Sequence, residues 1–217
     1  MNMMLEKNDK LVMTGDSITD CDRKKPDGEG LFDPYGKGYV NIVKALLDAS
    51  YPERPIRIVN KGWSGFTVRT LKANWQEHIV AQRPDWLSIM IGINDVWRHF
   101  DSPKMTETLV GIAEYQATLE ELITVIQPHL KGLILMTPYF IEPNRADPMR
   151  IQMDAYGAVV KLLAQKYKTV LVDTQAGFDR MLKHMHPMEL AWDRIHPNSS
   201  GHALIAKSFL DAIGYRF

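Results

Sequence analysis

The chain has 217 residues, 45% hydrophobic and 24% charged, with 26 Lys plus Arg set against 26 Asp plus Glu. That apolar share excludes a disordered chain, and zero net charge leaves no basic excess for a nucleic-acid partner. One cysteine, Cys21, excludes an internal disulfide framework and a multi-cysteine metal site.

The first ten residues hold no apolar stretch of signal-peptide length, and no run of 18 apolar residues occurs. A cytoplasmic setting with no membrane partner is therefore expected. Residues 10–14 (Lys-Leu-Val-Met-Thr) then read as a buried strand. Residues 38–49 read as a helix, with Val40, Val43, Leu46 and Leu47 on one face. A second strand is expected over 56–60, a helix over 67–82 stopped by Pro84, and a third strand over 86–91. A long helix follows over 106–130, then a strand over 133–137, a helix over 151–167, a fifth strand over 169–173 and a closing helix over 199–213. Strands alternate with helices and are apolar on both faces. This predicts an α/β protein: a three-layer α/β/α sandwich with about five parallel strands, built as one domain over 1–217. Two long loops, 17–37 and 138–150, follow strands and should sit at the carboxyl edge of the sheet, where such folds bind ligands.

Four segments at that edge carry chemistry. Ser17 follows the first strand in Gly15-Asp16-Ser17, where backbone N–H groups can face a developing oxyanion. Gly65 follows the second strand and offers an unobstructed N–H. Asn94 follows the third, in Gly92-Ile93-Asn94-Asp95, and its amide is a neutral donor. Asp193 precedes His196 by three positions, close enough to fix the imidazole tautomer. Taken singly, each segment is also ordinary turn or cap chemistry. Taken together, three of the four follow successive strands, and the last precedes the final helix.

These blocks, in this order, resemble the SGNH hydrolases, also called the GDSL esterases. The resemblance runs from residue 15 to 197 and implies a flavodoxin-like sandwich. It implies Ser17 as nucleophile, His196 as general base and Asp193 as its orienting partner. The Ser17 and Gly65 N–H groups and the Asn94 side chain would form the oxyanion hole. The longer block Gly15-Asp16-Ser17-Ile18-Thr19-Asp20, with Trp192 just before Asp193, is similar to the intracellular bacterial acetylxylan esterases, which often carry Gly where this chain has Asp22. That implies a serine carboxylesterase acting on acetylated xylo-oligosaccharides or related sugars, without cofactor or metal, in a homo-oligomer, with Trp192 a substrate-binding residue.

Alternatives stand beside this reading. A lysophospholipase or acyl-thioesterase would use the same serine chemistry with an extended apolar groove. A metal-dependent phosphoryl-transfer protein would gather a cation at Asp16, Asp20 and Asp22. A non-catalytic sugar-binding module is a third. Trp63 and Trp97 fit packing or a sugar face equally, and Tyr35, Tyr139 and Phe140 are candidate walls of the site. His184 and His186 read as a surface pair rather than metal ligands.

Overall fold

A computed structural model describes residues 3–216. Strands β1 (Lys10–Gly15), β2 (Arg57–Gly62), β3 (Trp86–Met90), β4 (Gly132–Met136) and β5 (Val170–Val172) form one parallel sheet. Their spatial order is β2-β1-β3-β4-β5. The helices are α1 (Ser17–Asp20), α2 (Tyr39–Ser50), α3 (Val68–Ala73), α4 (Trp75–His78), α5 (Ile93–Asp101), α6 (Ile112–Ile126), α7 (Pro148–Tyr167), α8 (Thr174–Met181), α9 (Pro187–Leu190) and α10 (Ser199–Ala212). Helix α10 packs on α2 and α8, whereas α6 packs on α3 and α7, and α7 on α5. Two helical layers thus enclose the sheet, as the alternating pattern predicts.

The central strands are apolar throughout because both their faces are covered: Leu11, Val12 and Met13 of β1 and Leu87 of β3 are fully buried. The edges differ. Leu171 on β5 is exposed, while β2 is covered by an antiparallel bridge in which Gly28 and Asn60 exchange both backbone hydrogen bonds. That bridge interrupts the ladder that the β2 edge could offer another chain.

Three expected helices differ in extent. Residues 67–82 form α3, α4 and a 3₁₀ turn at Val80–Gln82, because the Asn74 N–H closes α3 onto the Thr70 and Leu71 carbonyls. Residues 106–130 hold α6 flanked by two 3₁₀ turns. Helix α7 starts three residues early, since Asp147 caps it by accepting the Met149 and Arg150 N–H groups. Helix α5 follows β3, where the sequence reads as an Asx turn or the cap of a short helix. No helix among the described residues is long and apolar enough to cross a membrane.

Candidate active site

In this strand order the chain leaves β1 toward β2 on one side and later returns to β3 on the other. The carboxyl ends of β1 and β3 therefore flank a crevice at the switch point. Ser17 opens α1 directly after β1, and Asn94 lies in the first turn of α5 directly after β3.

Helix α1 is wedged tightly there. A Cβ on Gly62 would stand 2.2 Å from the Asp20 backbone nitrogen, so only glycine lets β2 end against α1. Asp16 caps α1, its Oδ1 accepting the Ile18 N–H at 3.0 Å. Burial pushes the Asp16 carboxyl up to about 7.

Ser17 Oγ lies 2.8 Å from His196 Nε2, and His196 Nδ1 lies 2.6 Å from Asp193 Oδ2. Asp193 Oδ1 also accepts the His196 and Ile195 backbone N–H groups at 2.8 and 2.9 Å. Burial alone would raise the Asp193 pKa. The bonds from the His196 ring and from the two N–H groups outweigh it and hold the carboxyl below its ordinary value. An ionised Asp193 fixes the proton on Nδ1 and leaves Nε2 to accept from Ser17.

The loop carrying Asp193 and His196 is pinned from below. Tyr139 Oη donates to the Ile195 carbonyl at 3.0 Å, and the Ile141 N–H to the Arg194 carbonyl at 2.9 Å. Arg194 reaches Glu142 at 2.6 Å and lies 4.8 Å over the Phe140 ring.

Gly65 has φ +80° in the turn closed by the Phe66 N–H on the Trp63 carbonyl. Trp63 N–H bonds the Gly15 carbonyl at 3.0 Å, and Ser64 N–H bonds Asp20 Oδ2 at 3.1 Å. The Phe66 carbonyl accepts Asn94 Nδ2 at 3.0 Å. The turn is thus tied to α1 on one side and to α5 on the other. Among the described residues, neither the Ser17 nor the Gly65 N–H donates to a protein acceptor, which is what an oxyanion hole requires.

The other residues singled out in the sequence divide between the surroundings of the triad and places away from it. Trp192 is 85% exposed and does not line the cavity of about 300 Å³ beside the triad. Trp97, Phe100, Phe140, Met149, Asp193 and Arg194 do line it. Trp97 meets the His196 ring edge-on, centroids 5.8 Å apart. Trp63 packs between His78 on one face and the Arg23 and Lys25 cations. Tyr139 is fully buried behind the site rather than in its wall. A larger hollow of about 690 Å³, around Tyr51, Arg54 and Arg216, shares no residue with the site.

Asp16, Asp20 and Asp22 do not converge: Asp20 holds Lys25 and Ser64, and Asp22 holds Lys37. No group of three or more His, Cys, Asp or Glu among the described residues is placed to hold a metal ion. His186 caps α9, accepting the Met188 N–H.

Sequence reasoning missed Asp95 and Arg98. Buried Asp95 accepts the Val68 N–H through both oxygens and so anchors the start of α3. Arg98 donates to Asn94 Oδ1 at 3.1 Å. The i,i+4 spacing of Asn94 and Arg98 signals the second contact once α5 is known to be helical.

The order, the glycines and the hydrogen-bonded Ser-His-Asp array agree with a direct comparison: residues 13–204 match the GDSL-like lipase/acylhydrolase family. The chain belongs to that family. It is 54% identical over 215 residues, 99% of this chain and 98% of the relative, to an acetylxylan esterase of Geobacillus stearothermophilus. The crystal structure of Axe2, an acetylxylan esterase from the same organism, matches with a TM-score of 0.97, covering 99% of this chain and 98% of its own. LAE5, an alpha/beta hydrolase enzyme from the metagenome of Lake Arreo, Spain, matches with a TM-score of 0.96 at 53% identity, over 98% of both chains. Axe2 variants with a serine, a histidine or an aspartate replaced are described as catalytic mutants. Those three residue types are the ones that meet here as Ser17, His196 and Asp193.

Proposed function

We propose that this GDSL-like acylhydrolase is a serine carboxylesterase that removes O-acetyl groups from acetylated xylo-oligosaccharides or closely related sugars. The observation that carries the reading is the continuous hydrogen-bonded array Ser17–His196–Asp193 at the switch point. In this mechanism His196 Nε2 takes the Ser17 Oγ proton as Oγ attacks the acetyl carbonyl carbon. The oxyanion is met by the Ser17 and Gly65 N–H groups and by Asn94 Nδ2. Collapse expels the sugar oxygen, which takes the proton back from the imidazolium. Water, deprotonated by the same Nε2, then attacks the acetyl-enzyme; collapse expels Ser17 Oγ, which takes the proton back from the imidazolium, and releases acetate. Asp193 stays ionised throughout and stabilises the imidazolium.

The cavity beside Asp193, which neither Ser17 nor His196 lines, is compatible with an acetylated sugar. At about 300 Å³ it lies at the small end for ligand sites, and its wall mixes aromatic faces with Asp101, Asp147 and Arg194. An acyl chain of a dozen carbons needs a longer apolar groove. Likeness to the Geobacillus stearothermophilus acetylxylan esterase supports the acetylated sugar.

The test is acetate release from acetylated xylo-oligosaccharides, measured beside hydrolysis of a matched long-chain ester, with Ser17→Ala as control. Rapid acetate release is expected, with little long-chain turnover, and Ser17→Ala should lower kcat by at least roughly 10⁴-fold. A long-chain preference would reject the substrate while keeping the serine chemistry. Activity that survives Ser17→Ala would reject the chemistry itself.

A further inference from the structure

Asn94 is one of three oxyanion donors in the reading above, and it is the one on a side chain, free to turn about its torsions. Its amide is gripped from two sides. Nδ2 donates to the Phe66 carbonyl at 3.0 Å, and Oδ1 accepts from Arg98 Nη2 at 3.1 Å. The assignment is forced by chemistry, since a carbonyl only accepts and a guanidinium only donates. One Nδ2 hydrogen is therefore committed to Phe66, and the other is the one available to an oxyanion. Asn94 itself is 2% exposed, so its amide is held within the protein.

Arg98 is held in turn. It pairs through Nη1 with Asp101 on the same helix, and its guanidinium lies 4.8 Å over the Trp97 ring. Trp97 in turn meets the His196 ring in a T-shaped contact. The contacts of Arg98 run to Asn94, Asp101 and the Trp97 ring, and its effect runs through those neighbours.

We propose that Arg98 is a positioning residue that locks the Asn94 amide and strengthens it as an oxyanion donor; this rests on the serine-esterase reading. The donor to Oδ1 is a guanidinium, a cationic group that only donates. Its hydrogen bond to Oδ1 draws electron density from Nδ2, and hydrogen bonds in such a chain reinforce one another. The gain grows with the charge on the acceptor. It is therefore larger for the oxyanion than for the ground-state carbonyl, and it acts on kcat rather than KM.

The test is a double-mutant cycle with 4-nitrophenyl acetate at concentrations that span KM. Asn94→Ala is expected to lower kcat by about 10²–10³-fold, the cost of one oxyanion donor. Arg98→Met is expected to lower kcat by roughly tenfold, with KM within about twofold of the wild type. In the Asn94→Ala background, Arg98→Met should have no further effect, because the group it acts through is gone. Arg98→Lys keeps the charge and should recover part of the loss; it also runs the same cycle if the Met variant does not fold. Additive losses, an effect confined to KM, or an unchanged kcat in Arg98→Met would overturn the role of Arg98 alone. Turnover that survives Ser17→Ala overturns the esterase reading, and this proposal with it.

Discussion

His202 opens onto α2 from the first turn of α10. Its Nδ1 accepts the Tyr39 N–H at 3.2 Å, which places the ring proton on Nε2, 3.6 Å from Cys21 Sγ. Burial, reinforced by the nearby His196 ring, pushes its pKa down to about 4. A histidine whose folded pKa lies below its unfolded value of about 6.5 contributes stability above pH 6.5 and loses it as the pH falls through 4. The contribution is on the order of 3 kcal/mol. Asp16 and Asp95 run the other way. Burial raises both to about 7, so their contribution is full below an unfolded pKa of about 3.8 and is lost as the pH rises through 7. Because these slopes oppose, the measurement is a difference: urea unfolding of the wild type and of His202→Asn at pH 7.5 and 4.5. The variant should lose less stability than the wild type on going to the lower pH. Equal losses would show that His202 is not buried neutral. None of these three environments is legible in the sequence, because desolvation depends on what packs over a group and not on its neighbours in the chain.

Helix α5 begins where an ordinary residue could not. Gly92, its cap, has φ +128°, and a Cβ there would lie 2.9 Å from Tyr115 Oη. That hydroxyl is already committed to the Ile91 carbonyl. Gly92→Ala combines backbone strain with a clash against a fixed side chain. It should cost about 2–3 kcal/mol, read as a lowered denaturant midpoint. Gly65 is the control: its φ is also positive, +80°, but the space around its Cβ is open. Gly65→Ala should cost only about 1 kcal/mol. Equal costs at the two positions would reject the packing half of the argument. Asp22 is a related case, at φ +63° beside Cys21 at +39°. Aspartate is among the few residues besides glycine that are enriched in this region. Element types followed from periodicity, but α5 did not. Its nine residues mix Asn, Asp, Arg and His with apolar ones, and Gly92 ahead of them reads as a turn. The breaks at Asn74 and Ile79 were equally hidden, because hydrophobic spacing continues through them.

The molecule as a whole leaves several large apolar side chains in water. Leu31, Phe32 and Trp192 are 77%, 96% and 85% exposed. Burying such a side chain stabilises by about 1.5–3 kcal/mol, and zero net charge sets little repulsion against contact between copies. We therefore expect self-association, which sedimentation velocity at micromolar concentration reads directly; a monomer at every concentration would reject it. Phe32→Ser and Trp192→Ser should shift the distribution toward smaller species.

What the sequence determined by itself was the alternation of strand and helix, and with it a parallel sheet between two helical layers. It also supplied the four blocks holding Ser17, Gly65, Asn94 and the Asp193–His196 pair. These are local properties: hydrophobic period, turn chemistry, and residue types placed just after strands. Only the tertiary structure decided that Ser17 and His196, 179 positions apart, stand 2.8 Å from one another. It also decided that Trp97 meets the His196 ring, and that Arg98 grips Asn94. Those facts depend on strand order, on glycines that let backbones touch, and on which side of a helix faces the crevice. Each is set by packing among segments far apart in the chain, and no local window of sequence contains it.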